Sequence, residues 1–207
     1  MIAVPELLLD ALVDPVGTLP KIQEAALLDT NSAEDREALR CVLQAWWDTC
    51  EDAFAMLNWE FHVAPGGMPR ERSRVTLLAC LCARTSAHRA GHMIEAVEYA
   101  LDLVEAWCFG EHVDLQSLRY NLGEQLRPAS GNEAASDAIQ ATIGAILSAC
   151  SDVKSRINFA NHAACSAANS IAHGSTDHVE NSARHVRDIA DLIRSAVPNV
   201  PFPERSP

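Results

Sequence analysis

Three features of the sequence predict an all-α protein, a multi-helix bundle of Ala-rich helices. Apolar residues recur at alternating steps of four and three along most of the chain, the spacing that gathers one face of a helix. Alanine supplies much of the apolar content, as in Asn161-His162-Ala163-Ala164-Cys165-Ser166-Ala167-Ala168. Runs of Val, Ile and Thr that would build strands are missing. Hydrophobic content is 48% but aromatics only 5%, so the core must be made of small side chains on closely packed helices. At 207 residues the chain is long enough to bury it.

The elements follow in order. A short helix is expected over residues 5–13, ended by Asp14-Pro15-Val16-Gly17, and a second over residues 20–28. Ser32 then caps a long helix, with Asp35 three residues on in the place of a capping-box Glu. Its stripe is Leu39, Leu43, Trp46, Cys50, Ala53, Leu57 and Phe61, which sets Gln44, Asp48, Glu51, Asp52 and Ala55 on the opposite side. Pro65-Gly66-Gly67-Met68-Pro69 is the strongest break in the chain. It divides an acidic N-terminal unit, residues 1–64, from a bundle core over 70–197, although one domain fits the length equally well.

The helix from about Arg70 carries Val75, Leu77, Leu78, Ala79, Cys80, Leu81 and Cys82; apolar on every side, it is expected at the centre of the bundle. A helix with Ile94, Val97, Leu101, Val104 and Cys108 stops at Gly110, and Asp114 caps a shorter one closed by Pro128. From Asn132 the stripe Ile139, Ile143, Ile146, Cys150, Val153, Ile157, Ala160 and Ala164 would extend roughly 60 Å if unbroken, so a break is expected at Ser151-Asp152. Asp177 with Glu180 caps the last helix, whose core stripe is Val179, Ala183, Val186, Ala190, Ile193 and Val197. Residues 198–207 form a Pro-rich tail, expected to be extended.

Charge narrows the function. The net charge is −12, and residues 1–69 carry three basic against twelve acidic side chains. Phosphate binding rests on clustered Lys and Arg, so no nucleic acid is expected as a partner. The single basic cluster, Arg70, Arg72 and Arg74, is interrupted by Glu71. No apolar run reaches the length of a membrane span, and the N-terminus lacks the basic region of a signal peptide. The seven Cys sit inside helical apolar patterns and read as buried free thiols. A cytoplasmic protein with no membrane partner is expected.

Several constellations could carry chemistry. His88, His92 and Glu95 are spaced to project from one face of a helix, as a Zn or Fe site requires. The competing reading is a solvated or hydrogen-bonded face, because Gly91 lies between the two His and Arg89 stands where a metalloprotease has its Glu. Cys80 and Cys82, two apart, point to opposite sides of a helix. His178, Ser182 and His185 share a face, but the Gly-x-Ser-x-Gly elbow of a hydrolase is absent. Trp46 and Trp47 are adjacent, so one stripe cannot hold both. Trp46 fits the core; Trp47 falls at the helix edge, either in a partner interface or under a neighbouring helix.

One stretch resembles a family. Ile94-Glu95-Ala96-Val97-Glu98-Tyr99-Ala100, Trp107-Cys108-Phe109-Gly110-Glu111 and the helix capped at Asp114 are similar to the Ala-rich helical immunity-protein family of bacterial toxin–antitoxin gene clusters. Ala163 to His178, with Ser182-Ala183, resembles its small-residue helices, and the likeness spans roughly residues 94–193. It implies an inhibitor of a protein toxin and no catalytic residues. Together with the acidity it gives the leading expectation, an immunity or antitoxin-like protein that occludes a basic partner such as a nuclease toxin. Asp48, Glu51, Asp52 and Trp47 are its candidate contacts. A metal-dependent helical enzyme at His88, His92 and Glu95, and an assembly subunit acting as a homo-oligomer, are the alternatives.

Overall fold

The structure, a computed structural model, describes residues 33–63, 69–125, 132–151, 153–173 and 175–199. The two helices expected over residues 5–13 and 20–28, the Ser32 cap, Pro65 to Met68, Pro128 and the tail beyond Asn199 lie outside them. Among the described residues every regular element is helical. They are α1 (Ala33–Thr49), α2 (Ala53–Val63), α3 (Pro69–Ser86), a 3-10 segment (Ala87–Met93), α4 (Ile94–Cys108), α5 (Leu115–Gln125), α6 (Glu133–Cys150), α7 (Val153–Ala172) and α8 (His178–Ala196).

The single long helix expected to run through Phe61 is two helices. Asp52 starts the second: its Oδ1 accepts the backbone N–H groups of Phe54 (2.9 Å) and Ala55 (3.2 Å), an arrangement that favours a new N-terminus over continuation. The end of the first is sealed from α8. Arg194 donates Nε to the Trp47 carbonyl (3.0 Å) and Nη2 to the Cys50 carbonyl (2.5 Å), taking up acceptors that a helix end leaves unpaired. The stripe survives the break, since Leu39, Leu43, Trp46, Cys50, Ala53 and Leu57 are all buried.

Helix α7 sits at the centre, packed against α6, α3, α8 and α2, while α3 also meets α4 and α6. The all-round apolar pattern of α3 is thus accounted for: Val75, Leu78, Ala79, Cys80, Cys82 and Ala83 are buried, and Leu77 and Leu81 partly so. Small residues set the α6–α7 spacing. A Cβ at Gly144 would stand 2.9 Å from the backbone nitrogen of Ala163 and 3.0 Å from the Phe159 carbonyl oxygen, so hydrogen alone fits there. Ala160, Ala163, Ala164 and Ala167 of α7 and Ala138, Ala141 and Ala145 of α6 are fully buried.

The break between α6 and α7 falls at Ser151, as the length of the stripe requires. Arg156, almost wholly buried, reaches back from α7 to the carbonyls of Ser148 (2.9 Å) and Ser151 (3.0 Å), which closes the end of α6. Buried Thr76 and Ser148 pair through their hydroxyls at 3.2 Å, tying α3 to α6. Two N-caps read from sequence, Asp114 and Asp177, are present, and Asn132 adds a third. Asn132 accepts the Ala135 N–H (3.1 Å) and Asp177 the Glu180 N–H (3.2 Å). Asp114 accepts from Ser117 and Gln116, and these bonds hold its carboxyl below the ordinary range, the Ser117 amide foremost.

Two expectations are corrected. The stripe of α8 is core only in its second half: Ala190 and Ile193 are buried with Ile189, but Val186 is half-buried, Ala183 exposed and Val179 79% exposed. The first two turns of α8 turn a different side inward: half-buried His178 and Ser182 meet His173 and Asn169 at the end of α7, which leaves Val179 and Ala183 facing out. The cysteines are free, but Cys41 and Cys165 are exposed rather than buried, because they fall off the core stripes of α1 and α7. Among the described residues no helix is long and apolar enough to cross a membrane.

Candidate partner-binding cleft

The uncovered half of α8 faces the α1–α2 junction across an open cleft of about 690 Å³, within the 300–1,000 Å³ usual for binding sites. One wall comes from the end of α1 and the junction, with Trp46, Thr49, Cys50, Glu51 and Asp52; Phe54 of α2 adjoins it, and Ala183, Val186 and Arg187 of α8 stand opposite. The walls are apolar and aromatic, while the charged groups gather at Glu51, Asp52 and Arg187. Trp46 lies in an aromatic cluster, edge-on to Trp47 at 5.9 Å and to Trp59 at 6.0 Å between ring centroids. That packing fixes the indole that lines the cleft.

Sequence-predicted contacts fall partly here. Glu51 and Asp52 are exposed and line the cleft. Glu51 Oε2 meets Arg187 Nε at 3.2 Å, with both side chains more than half exposed, so the pair contributes little to stability. Asp52 has one oxygen engaged by the α2 cap. Asp48 is exposed near the end of α1 and accepts from Gln44 Nε2 at 2.7 Å; it is not in the cleft lining. Trp47 is corrected: it is fully buried, and its indole N–H donates to the Val197 carbonyl at 2.8 Å. The chain leaving α8 covers it, with Pro198 also accepting from Gln44 (3.1 Å), so Trp47 anchors α1 to the C-terminal segment and presents nothing to a partner.

The expected metal triad does not form. Its premise was one continuous helix, but His88 and His92 lie in the 3-10 segment with Gly91 between them at φ 62°, a turn that only Gly adopts readily, while Glu95 begins α4. Both His and Glu95 are exposed, and among the described residues no three His, Cys, Asp or Glu side chains come together as a metal ion requires. The thiols buried in the bundle are kept from ionising. Burial pushes Cys82 and Cys108 up to about 12 and Cys80 well above its ordinary value.

A polar cluster missed by sequence reasoning joins the ends of α6, α7 and α8. His173 holds Asp137 through Nε2 at 2.8 Å and stands 3.5 Å from Glu133 through Nδ1, while His178 packs edge-on against it at 4.8 Å. Both ring nitrogens of His173 therefore face carboxylates. Ser182 donates to Asn169 Oδ1 (3.1 Å) and His185 pairs with Asp188 (3.0 Å), so the hydrolase-like trio on α8 is split among separate partners. The cluster fastens helix ends. Acidic residues at 133 and 137 opposite a His at a helix C-terminus were the available signal, but pairing across 36 residues cannot be read from spacing.

No family model, curated protein or solved structure matches this chain, and its function has to be argued from the geometry above.

Proposed function

We propose that this protein is an immunity or antitoxin-like inhibitor, which binds a basic protein partner through the cleft between the α1–α2 junction and α8 and occludes the partner's own binding groove. The observation that carries the proposal is the open cleft that exposed Ala183 and half-buried Val186 of α8 line together with the carboxylates of Glu51 and Asp52, with Val179 exposed one turn before Ala183. An apolar strip bordered by charged groups, here two carboxylates and Arg187, is the anatomy of a protein interface, with the strip excluding water and the charges steering encounter. The acidity of residues 1–69 supports a basic partner, of which a nuclease toxin is the natural example. The resemblance of residues 94–193 to the immunity-protein family points the same way.

The test is native mass spectrometry of the full chain purified gently from its own host, beside an Ala183→Trp variant that fills the cleft from an exposed position. The expected result is a basic polypeptide at fixed stoichiometry with the natural chain, absent from Ala183→Trp, and inhibited in its own activity when the natural chain is added back. A partner retained by Ala183→Trp, or a homo-oligomer alone, would contradict it.

A further inference from the structure

We infer that the cleft receives an arginine side chain of that partner, an inference that rests on the docking role proposed above. Four features converge on a guanidinium with an alkyl stem. The half-buried Phe54 ring, with the small part of Trp46 that reaches the cleft, offers aromatic surface, on which a planar guanidinium stacks better than an ammonium. Val186 and Ala183 line the opposite wall, where the three methylenes of an arginine stem lose contact with water. The charged ends are matched in number. Glu51 and Asp52 Oδ2 accept no hydrogen bond among the described residues: Arg187 meets Glu51 as an ion pair, Nε to Oε2 at 3.2 Å, and the α2 amides engage Asp52 through Oδ1.

The fourth feature is Arg187 itself. The chain already sets one guanidinium against Glu51 in the cleft lining, in an exposed pair that water and salt readily exchange. An incoming guanidinium can take both oxygens of Glu51 in the forked geometry that an ammonium cannot match, displacing Arg187 into solvent. At about 690 Å³ the cleft is larger than one side chain, so apolar neighbours in the partner segment fill the remainder along Ala183. The ligand is therefore arginine within a polypeptide rather than free arginine.

Titration of the full chain with four probes, followed at the Trp46 indole resonance, tests this. The probes are acetyl-Leu-Arg-amide, acetyl-Leu-Lys-amide, acetyl-Leu-citrulline-amide and agmatine. The arginine peptide is expected to bind about threefold tighter than the lysine peptide and tighter again than the neutral citrulline isostere. Glu51→Gln is expected to weaken the arginine peptide by about threefold, and Arg187→Ala, by removing the internal competitor, to tighten it by a similar factor. Both positions are exposed, so neither variant threatens the fold. Equal binding of the arginine, lysine and citrulline peptides, or indifference to Glu51→Gln, would overturn the inference; agmatine binding tighter than the peptide would overturn its assignment to a polypeptide. Loss of arginine preference beside a basic partner that Ala183→Trp still excludes would sink this inference alone and leave the docking proposal standing.

Discussion

Replacing Asp52 by Ala removes two things at once: the acceptor for the Phe54 and Ala55 amides that starts α2, and a negative charge beside the cleft. Asn keeps the first and discards the second, because its side-chain oxygen caps a helix about as well. Asp52→Ala is therefore expected to lower stability by about 1 kcal/mol, and Asp52→Asn by a few tenths at most, as read from urea unfolding. Equal losses in the two would mean that the carboxylate charge, rather than the cap, holds the junction. At this scale much was legible. Asp114 and Asp177 were caps in the sequence and are caps in the fold. Asp52 was legible as an exposed acid but not as a cap, since the apolar stripe runs through it without losing its rhythm. Trp47 was the converse case. Its position at a helix edge was readable, but what covers it is a carbonyl 150 residues away.

Among the elements, the α6–α7 pair shows how an Ala-rich sequence builds a core without aromatic bulk. Gly144→Ala would ordinarily favour a helix by about 0.8–1.0 kcal/mol. Here the new methyl would meet the α7 backbone at 2.9 and 3.0 Å, contacts that move only if the two helices separate. A net destabilisation of about 1–3 kcal/mol is expected, with a lower thermal midpoint. A midpoint unchanged or raised would show that α6 and α7 give way without cost. The helices themselves were readable from periodicity and caps, and so was the interruption near Ser151. Two elements were not. The α1–α2 break turns on Arg194 reaching across from α8, and the uncovered half of α8 depends on which of its sides meets the end of α7; neither is written in the local pattern. His88 and His92 show the same weakness: a spacing of four places groups together only if the intervening backbone stays helical, and Gly91 does not.

For the whole molecule, the proposed recognition role rests on the acidity of residues 1–69 and on the exposed Val179 and Ala183 of α8. The described residues bring no three metal-ligating side chains together, their core thiols are held protonated by burial, and the His173 ring is enclosed by acids at a helix junction. What remains uncovered is an apolar strip with carboxylates beside it. The measurement that tests this most directly is the salt dependence of affinity for the co-purified basic partner, compared between the natural chain and the combination Asp48→Lys, Glu51→Lys and Asp52→Asn, which keeps the α2 cap. Weaker association by about tenfold, with a flatter dependence on ionic strength, is the predicted result. The same affinity and the same salt dependence in both proteins would contradict it and remove this face from the interface.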